Sequence, residues 1–280
     1  MSNLSVLAVN TAIFDGHDIE VALRTIHEVG FTHVEFAYNQ GYVGALDPAL
    51  FEKGNADKLT GLMKKYDLQC VAIGCTTDLG APDVIEPYRQ RIRFASMIGA
   101  RYLNASAGKM EDRRQIVENL RQLAPFAAEH NCVLCMENAG DDNYNVFVSA
   151  EEGLALLKDV GHPAVAINAD AGNMVSYRDR IDPLEETLAL LPSCAHCHLK
   201  DVIVHSDGCL SFPAIGQGSI PYQPILQDLA ARQIPCSLEI PLRMHRQPDK
   251  WPVRGEEPVS LDRIRTVLEQ SAQYVRSVLG

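Results

Sequence analysis

Four residues whose side chains bind metals or move protons recur at nearly even intervals in the second half of this sequence: Glu137, Asp170, His198 and Glu239. The intervals are 33, 28 and 41 residues. Each residue sits in or at the end of a short apolar run, CVLCMEN, AVAINADAGN, AHCHLKD or CSLEIPL. Successive side chains of a strand point to opposite faces. That alternation puts Val133, Cys135 and Glu137 on one face, and Cys132, Leu134 and Met136 on the other. It likewise groups His196, His198 and Lys200 on one face, and Ser237, Glu239 and Pro241 on one face. Three carboxylates buried together repel one another and are costly to desolvate. One divalent cation resolves both problems. Two Glu, one Asp and one His offer three oxygens and one nitrogen, a set that suits Mn²⁺, Mg²⁺, Co²⁺ or Zn²⁺. The oxygen majority leans towards Mn²⁺ or Mg²⁺, and Mn²⁺ is the expected ion. The competing account is a set of buried salt bridges to Lys200 or Arg243.

Around this set stand softer candidates. His196 reads as a substrate-contacting or supporting group rather than a ligand. Asn10, Glu35 and Asn104 end the first, second and fourth apolar runs and are expected to line the mouth, or else to fill barrel layers or cap turns. Lys200 and Arg243 are expected to hold a substrate carboxylate or phosphate. Trp251, the single tryptophan, lies in a late loop where it could cover substrate or pack on a second subunit. His17, His27, His130 and His162 read as surface residues.

The elements that must position these groups are legible as eight apolar runs: Leu4–Asn10, Thr32–Ala37, Gln69–Cys75, Tyr102–Ser106, Cys132–Asn138, Ala164–Asp170, Ala195–Asp201 and Cys236–Pro241. Their Val, Ile, Leu and Cys content is that of parallel strands covered by helices. Between them lie stripes of helical period, such as Ile19, Leu23, Ile26 and Val29, or Ile116, Leu120, Leu123 and Ala127, or Leu261, Ile264, Leu268 and Val275. Gly30, Gly99 and Gly161 fall where helices should stop. Eight such alternations, about 35 residues each, predict one (β/α)8 TIM barrel over residues 1–280, with no linker dividing it. The segments Asp207–Tyr222 and Arg243–Pro258 read as long loops after the seventh and eighth strands, where a barrel of this kind builds its site.

Composition narrows the function classes. The net charge of −11 disfavours nucleic acid, whose phosphates are held by clustered Lys and Arg. No apolar run is long enough to span a membrane. The opening MSNLSVLAVNTAIFDG shows neither a basic n-region nor a small-residue cleavage site, so the expected location is the cytoplasm. The pairs Cys132/Cys135 and Cys194/Cys197 imitate C-x-x-C metal motifs, but residues three apart on a strand face opposite ways. Buried, inert thiols are the expectation for both.

The fragments M-E-N at the fifth run, D-x-G-N at Asp170–Asn173, H-x-H-L-K-D at His196–Asp201, I-G-x-G-x-I-x-Y at Ile215–Tyr222 and S-L-E-I at the eighth run come in a telling order. The chain resembles, over nearly its whole length, the sugar isomerase/epimerase superfamily with the xylose isomerase-like barrel. The resemblance implies that Glu137, Asp170, His198 and Glu239 hold the metal, and that Glu137 and Glu239 double as the acid/base pair. It implies a small sugar, sugar phosphate or keto-acid substrate, rearranged through an enediolate to an epimer or an aldose–ketose isomer. The ketose 3-epimerases of this superfamily carry a substrate-binding His three residues after the Asp ligand. They also carry a Glu six residues after the first Glu ligand and an Arg six after the His ligand. Here those places hold Asn173, Asn143 and Val204. The resemblance thus carries the metal site, with Asn173 as a substrate contact, and not that substrate shell. Metal-dependent dehydration is the second expectation. A DNA-repair enzyme of the endonuclease IV type and a non-catalytic barrel rank lower, and homo-oligomerisation remains open.

Overall fold

Runs of β-branched, aliphatic and sulfur-bearing residues form the staves of a closed barrel in the computed structural model, which describes residues 4–38, 46–177 and 181–280. The strands in chain order are β1 (Leu7–Asn10), β2 (His33–Ala37), β3 (Gln69–Gly74), β4 (Tyr102–Ala105), β5 (Val133–Glu137), β6 (Val165–Asp170) and β7 (Cys194–Leu199). After the short strands β8 (Ile203–Val204) and β9 (Leu210–Ser211) comes the eighth stave, β10 (Cys236–Leu238). Each stave is parallel to its neighbours, and β10 closes the ring by pairing with both β7 and β1. The (β/α)8 barrel expected from the sequence is the observed fold, and all eight staves fall on the eight apolar runs. Residues 1–3, on which the expectation of no leader partly rested, lie outside the described residues.

The covering helices are α1 (Ile19–Val29), α2 (Lys53–Lys65), α3 (Ile85–Met97), α4 (Arg113–Glu129), α5 (Ala150–Val160), α6 (Ala171–Tyr177), α7 (Pro183–Leu190), α8 (Tyr222–Arg232) and α9 (Leu261–Leu279). Local chemistry sets their ends. Asp18 accepts the Glu20 N–H at the start of α1, and Ser149 with Glu152 forms a reciprocal capping box on α5. Both helices stop at a left-handed glycine, Gly30 at φ 96° and Gly161 at φ 67°. Their apolar stripes pack on the outward faces of the staves. Leu23, Ile26, Leu120, Leu123, Leu134 and Met136 are all buried in one continuous core. Among the described residues no helix is long and apolar enough to cross a membrane.

The two late segments expected as loops are partly ordered as strands. β11 (Met244–Arg246) and β12 (Pro252–Arg254) join β8 and β9 in an antiparallel sheet of order β12-β11-β9-β8. Hydrophobic periodicity gave no sign of it, because its strands are only two or three residues long and two of them carry arginines. The sheet stands beside the barrel mouth, and Met244, Arg246, Pro252 and Arg254 form part of the cavity wall there.

Candidate active site

The sequence delivers its charged residues to one end of the barrel. Glu137 and Asp170 are the last residues of β5 and β6, His198 is the last but one of β7, and Glu239 follows β10 directly. Strand register brings them level. Asp170 is paired with His198, and His198 with Ser237, two residues before Glu239. One donor atom from each of Glu137, Asp170, His198 and Glu239 lies within 4.8 Å of all the others. Each of the four residues is buried. Such convergence of three carboxylate oxygens and one imidazole nitrogen fits a single divalent ion.

His198 is the hub. Its Nδ1 faces Glu137 Oε1 at 2.9 Å and Glu239 Oε2 at 3.5 Å. Its Nε2 faces away from them and meets both Glu35 oxygens, at 3.0 and 3.1 Å. A carboxylate behind the far nitrogen of a ligating histidine fixes the ring and raises its basicity. Glu35 is further held by the Asn104 amide at 2.9 Å. Asn104 Nδ2 also stands 3.1 Å from His196 Nδ1, and Ser237 Oγ 3.1 Å from His196 Nε2. Glu35, Asn104, Asn168, His196 and Ser237 therefore make a polar layer inside the barrel, beneath the carboxylates. The Tyr102 ring, packed on the small apolar cluster of Ala8, Val71 and Ala72, lies 5.6 Å from the His196 ring and supports the layer.

On the cavity side, the Lys200 ammonium contacts Asp170 Oδ2 at 2.7 Å, Glu239 Oε2 at 2.5 Å and Asn173 Oδ1 at 2.9 Å. Asn173 in turn donates to Glu137 Oε1 at 3.1 Å. The Tyr222 hydroxyl donates to the Lys200 carbonyl and accepts its N–H, fixing the lysine backbone. The next residue, Asp201, anchors the glycine loop. Its two oxygens accept the N–H groups of Val202, Gly216, Gly218 and Ile220. A Cβ on Gly218 would collide with that carboxylate, which accounts for the glycine.

The electrostatics record a shortage of positive charge. Burial, and then the Glu239 carboxylate, push the Glu137 carboxyl up to about 7. Burial alone would lower His198, but Glu239, Glu35 and Glu137 outweigh it and raise the imidazole well above its ordinary value. Burial opposes ionisation of Glu35, yet the His198 charge and hydrogen bonds hold that carboxyl down to about 2. Burial also opposes ionisation of Asp170, and Lys200 overcomes it. His196, sealed in the barrel, is lowered to about 3 by burial and is neutral. Both shifts favour protons on Glu137 and His198, which relieve the repulsion among the buried carboxylates.

A cavity of about 220 Å³ lies over the cluster. Of the expected substrate contacts, Asn173 and Lys200 line it, beside Glu137 and Glu239. Glu35, Asn104 and His196 do not, because they lie one layer deeper, at 0–1% exposure. Arg243 is also absent from the wall. Its guanidinium is spent on the carbonyls of Gly255 and Glu256 and on Asp15, pinning the loop around β12. Asn10 caps the turn after β1 by accepting the Ala12 N–H. Trp251 is 53% exposed and lies outside the cavity. Sequence reasoning missed Asp141, Tyr144, Phe212, Arg246 and Arg254, all on the wall. The only available signal was their position in segments following strand ends. The C-x-x-C cysteines are free thiols, and burial raises all four above their usual range, Cys132 to about 11 and Cys194 to about 12.

The chain is thus a closed parallel barrel with acids and a histidine that could hold a metal ion gathered at the carboxyl ends of its last four staves. Residues 23–260 match the family model described as xylose isomerase-like TIM barrel, and the chain belongs to that family. No curated protein matches the sequence. Among solved structures, the D-psicose 3-epimerase of Clostridium cellulolyticum H10, determined with D-tagatose, is 15% identical with a TM-score of 0.74, over 98% of this chain and 99% of that one. The probable 3-DHS dehydratase AsbF of Bacillus anthracis is 18% identical with a TM-score of 0.70, over 94% and 97%. A xylose isomerase-like TIM barrel protein of Mycobacterium smegmatis, in complex with magnesium, is 20% identical with a TM-score of 0.70, over 98% of each chain. At these identities the likeness is one of fold.

Proposed function

We propose that the protein is a metal-dependent isomerase or epimerase that moves a proton beside the carbonyl of a small sugar, sugar phosphate or keto-acid. The observation that carries this reading is the pair Glu137 and Glu239. Both line the cavity, and both approach the same nitrogen of His198. Glu137, Asp170, His198 and Glu239 would hold the ion, and three carboxylate oxygens with one imidazole nitrogen suit Mn²⁺. When bound, the ion supplies Lewis-acid polarisation of a carbonyl oxygen. Glu137 ends β5 and Glu239 follows β10, at opposite edges of the cluster, and those strands are separated in the barrel by β6 and β7. One carboxylate takes the α-proton and the other returns one. Return to the opposite face of the same carbon gives an epimer, and return to the neighbouring carbon an isomer. Asn173 orients Glu137 through its 3.1 Å hydrogen bond, and Lys200 orients Glu239.

A lyase that expels a β-hydroxyl would use the same residues. The likeness of fold to the probable 3-DHS dehydratase AsbF keeps this second reading. The test is to incubate the Mn²⁺-loaded protein in D2O with ketoses, ketose phosphates and keto-acids, and to follow carbon-bound deuterium by NMR, with and without EDTA. Metal-dependent exchange without loss of water is the expected result. Exchange unaffected by EDTA would overturn the metal reading, and an unsaturated product would establish the lyase.

A further inference from the structure

Among the described residues three cations line the cavity, and they are not used alike. Lys200 is engaged by Asp170, Glu239 and Asn173. Arg254 forks onto Asp15 with two 2.7 Å hydrogen bonds. Arg246 is different. Its Nη1 donates to Asp141 Oδ2 at 3.2 Å and to the Lys250 carbonyl at 3.1 Å, which fixes the plane of the guanidinium. Its Nε is buried and has no acceptor among the described residues, although the residue as a whole is only 7% exposed. Its Nη2 faces Gly140. A methyl group there would stand 3.0 Å from Nη2 and 2.5 Å from Asn173 Oδ1, so only glycine lets the Arg246 and Asn173 side chains approach this backbone so closely. Asn173 is the residue that hydrogen-bonds Glu137.

The Nε–Nη2 edge of a guanidinium is a planar fork that matches the two oxygens of a carboxylate. A buried donor without an acceptor is rare in a folded protein, and a bound ligand is one explanation for it. Charge decides which anion fits. Asp141 already offsets part of the Arg246 charge, and the other two cations of the wall are engaged by carboxylates. The described wall therefore has no surplus of positive charge for a phosphate dianion, and a monoanion held by the guanidinium fork is the better fit. We propose that Arg246 receives the carboxylate of a small hydroxy- or keto-acid, so that the substrate is a monocarboxylic acid rather than a neutral ketose or a sugar phosphate. This rests on the reading of the cavity as the substrate site of the Glu137/Glu239 pair.

Three ligands with one three-carbon skeleton separate the possibilities: glycerate, glycerol and glycerol 3-phosphate. They are titrated calorimetrically into the Mn²⁺-loaded protein, its Arg246→Gln variant and its Arg246→Lys variant. The wild type should bind glycerate more tightly than either other ligand. Arg246→Gln should lower glycerate affinity by about 10- to 100-fold, the effect of losing hydrogen bonds to a charged group. Its Mn²⁺ affinity should not change. Arg246→Lys should fall in between, because an ammonium keeps the charge and loses the fork, and it decides the matter if the glutamine variant does not fold. A glycerate-over-glycerol ratio that is the same in all three proteins would overturn the proposal and assign carboxylate binding to the ion itself. Tighter binding of glycerol 3-phosphate would overturn it too. If the wild type binds no Mn²⁺, the metal reading fails by itself. The same titration in EDTA then still tests Arg246, and a ratio that does not depend on it refutes the carboxylate seat.

Discussion

Glu35→Gln isolates the group behind the proposed ligand His198 with little change of shape. The carboxylate is completely buried and accepts from His198 Nε2 at 3.0 and 3.1 Å and from Asn104 Nδ2 at 2.9 Å. A glutamine amide retains one acceptor oxygen and must turn its NH2 towards one of those two donors. His198 then loses the negative charge that makes its ring a strong ligand. Supporting carboxylates of this kind contribute about 10- to 100-fold to metal affinity, or about 1.4–2.7 kcal/mol. An opposing effect exists, since Glu35 also helps hold the competing proton on His198. The proton carries one charge and the ion two, so losing the carboxylate harms ion binding more. Calorimetric titration of the apo variant with Mn²⁺ should show the weaker affinity with unchanged stoichiometry. A folded Glu35→Gln protein whose Mn²⁺ affinity stayed within about threefold of wild type, well inside that range, would refute the reasoning. It would leave Glu35 as packing.

Three further outcomes are expected. His198→Ala should cost more Mn²⁺ affinity than His196→Ala, because His196 touches Asn104, Asn168 and Ser237 and none of the three acids; the reverse order would mean the wrong histidine is assigned. Glu137 and His198 hold protons more tightly folded than unfolded, so without metal they favour the fold below their unfolded values and lose that contribution as pH rises, through about 7 for Glu137. Metal must displace those protons. The gap in Tm between Mn²⁺-loaded and EDTA-treated protein should therefore widen from about pH 6 to pH 8, and a gap independent of pH would contradict the protonation scheme. Asp201→Asn turns an NH2 group towards backbone donors of the glycine loop and should cost about 2–4 kcal/mol in urea unfolding, whereas a loss under about 0.5 kcal/mol, that of an ordinary surface change, would show the loop to be held otherwise.

The barrel was legible because each stave is a short apolar run and the helices between them carry clear 3.6-residue stripes. Glu137, Asp170, His198 and Glu239 stood out because a charge at the end of such a run needs a partner. Depth along the barrel axis was not legible. Glu35 and Asn104 stand two residues short of the ends of their runs, where Glu137 stands one short, and they lie a layer lower. Depth depends on the stagger between strands, including a shift in β2–β3 pairing at Val34/Glu35 that no residue type announces. The choice between Arg243 and Arg246 was equally hidden. Three residues apart, Arg243 is spent on loop carbonyls and Arg246 lines the cavity. Only the pairing of β11 with β12 and β9 decides which is which.

The central claim is that Glu137 and Glu239 are an acid/base pair over one metal site, and deuterium exchange in the Glu137→Gln and Glu239→Gln variants tests it most directly. Glutamine keeps a carbonyl oxygen for the ion but cannot take a proton at neutral pH. Each Mn²⁺-loaded variant should bind the ion somewhat more weakly and lose net turnover. For an epimerase, each should still exchange the α-proton of one epimer with D2O, and the two variants should prefer opposite epimers. Near-normal turnover in both variants would contradict the account.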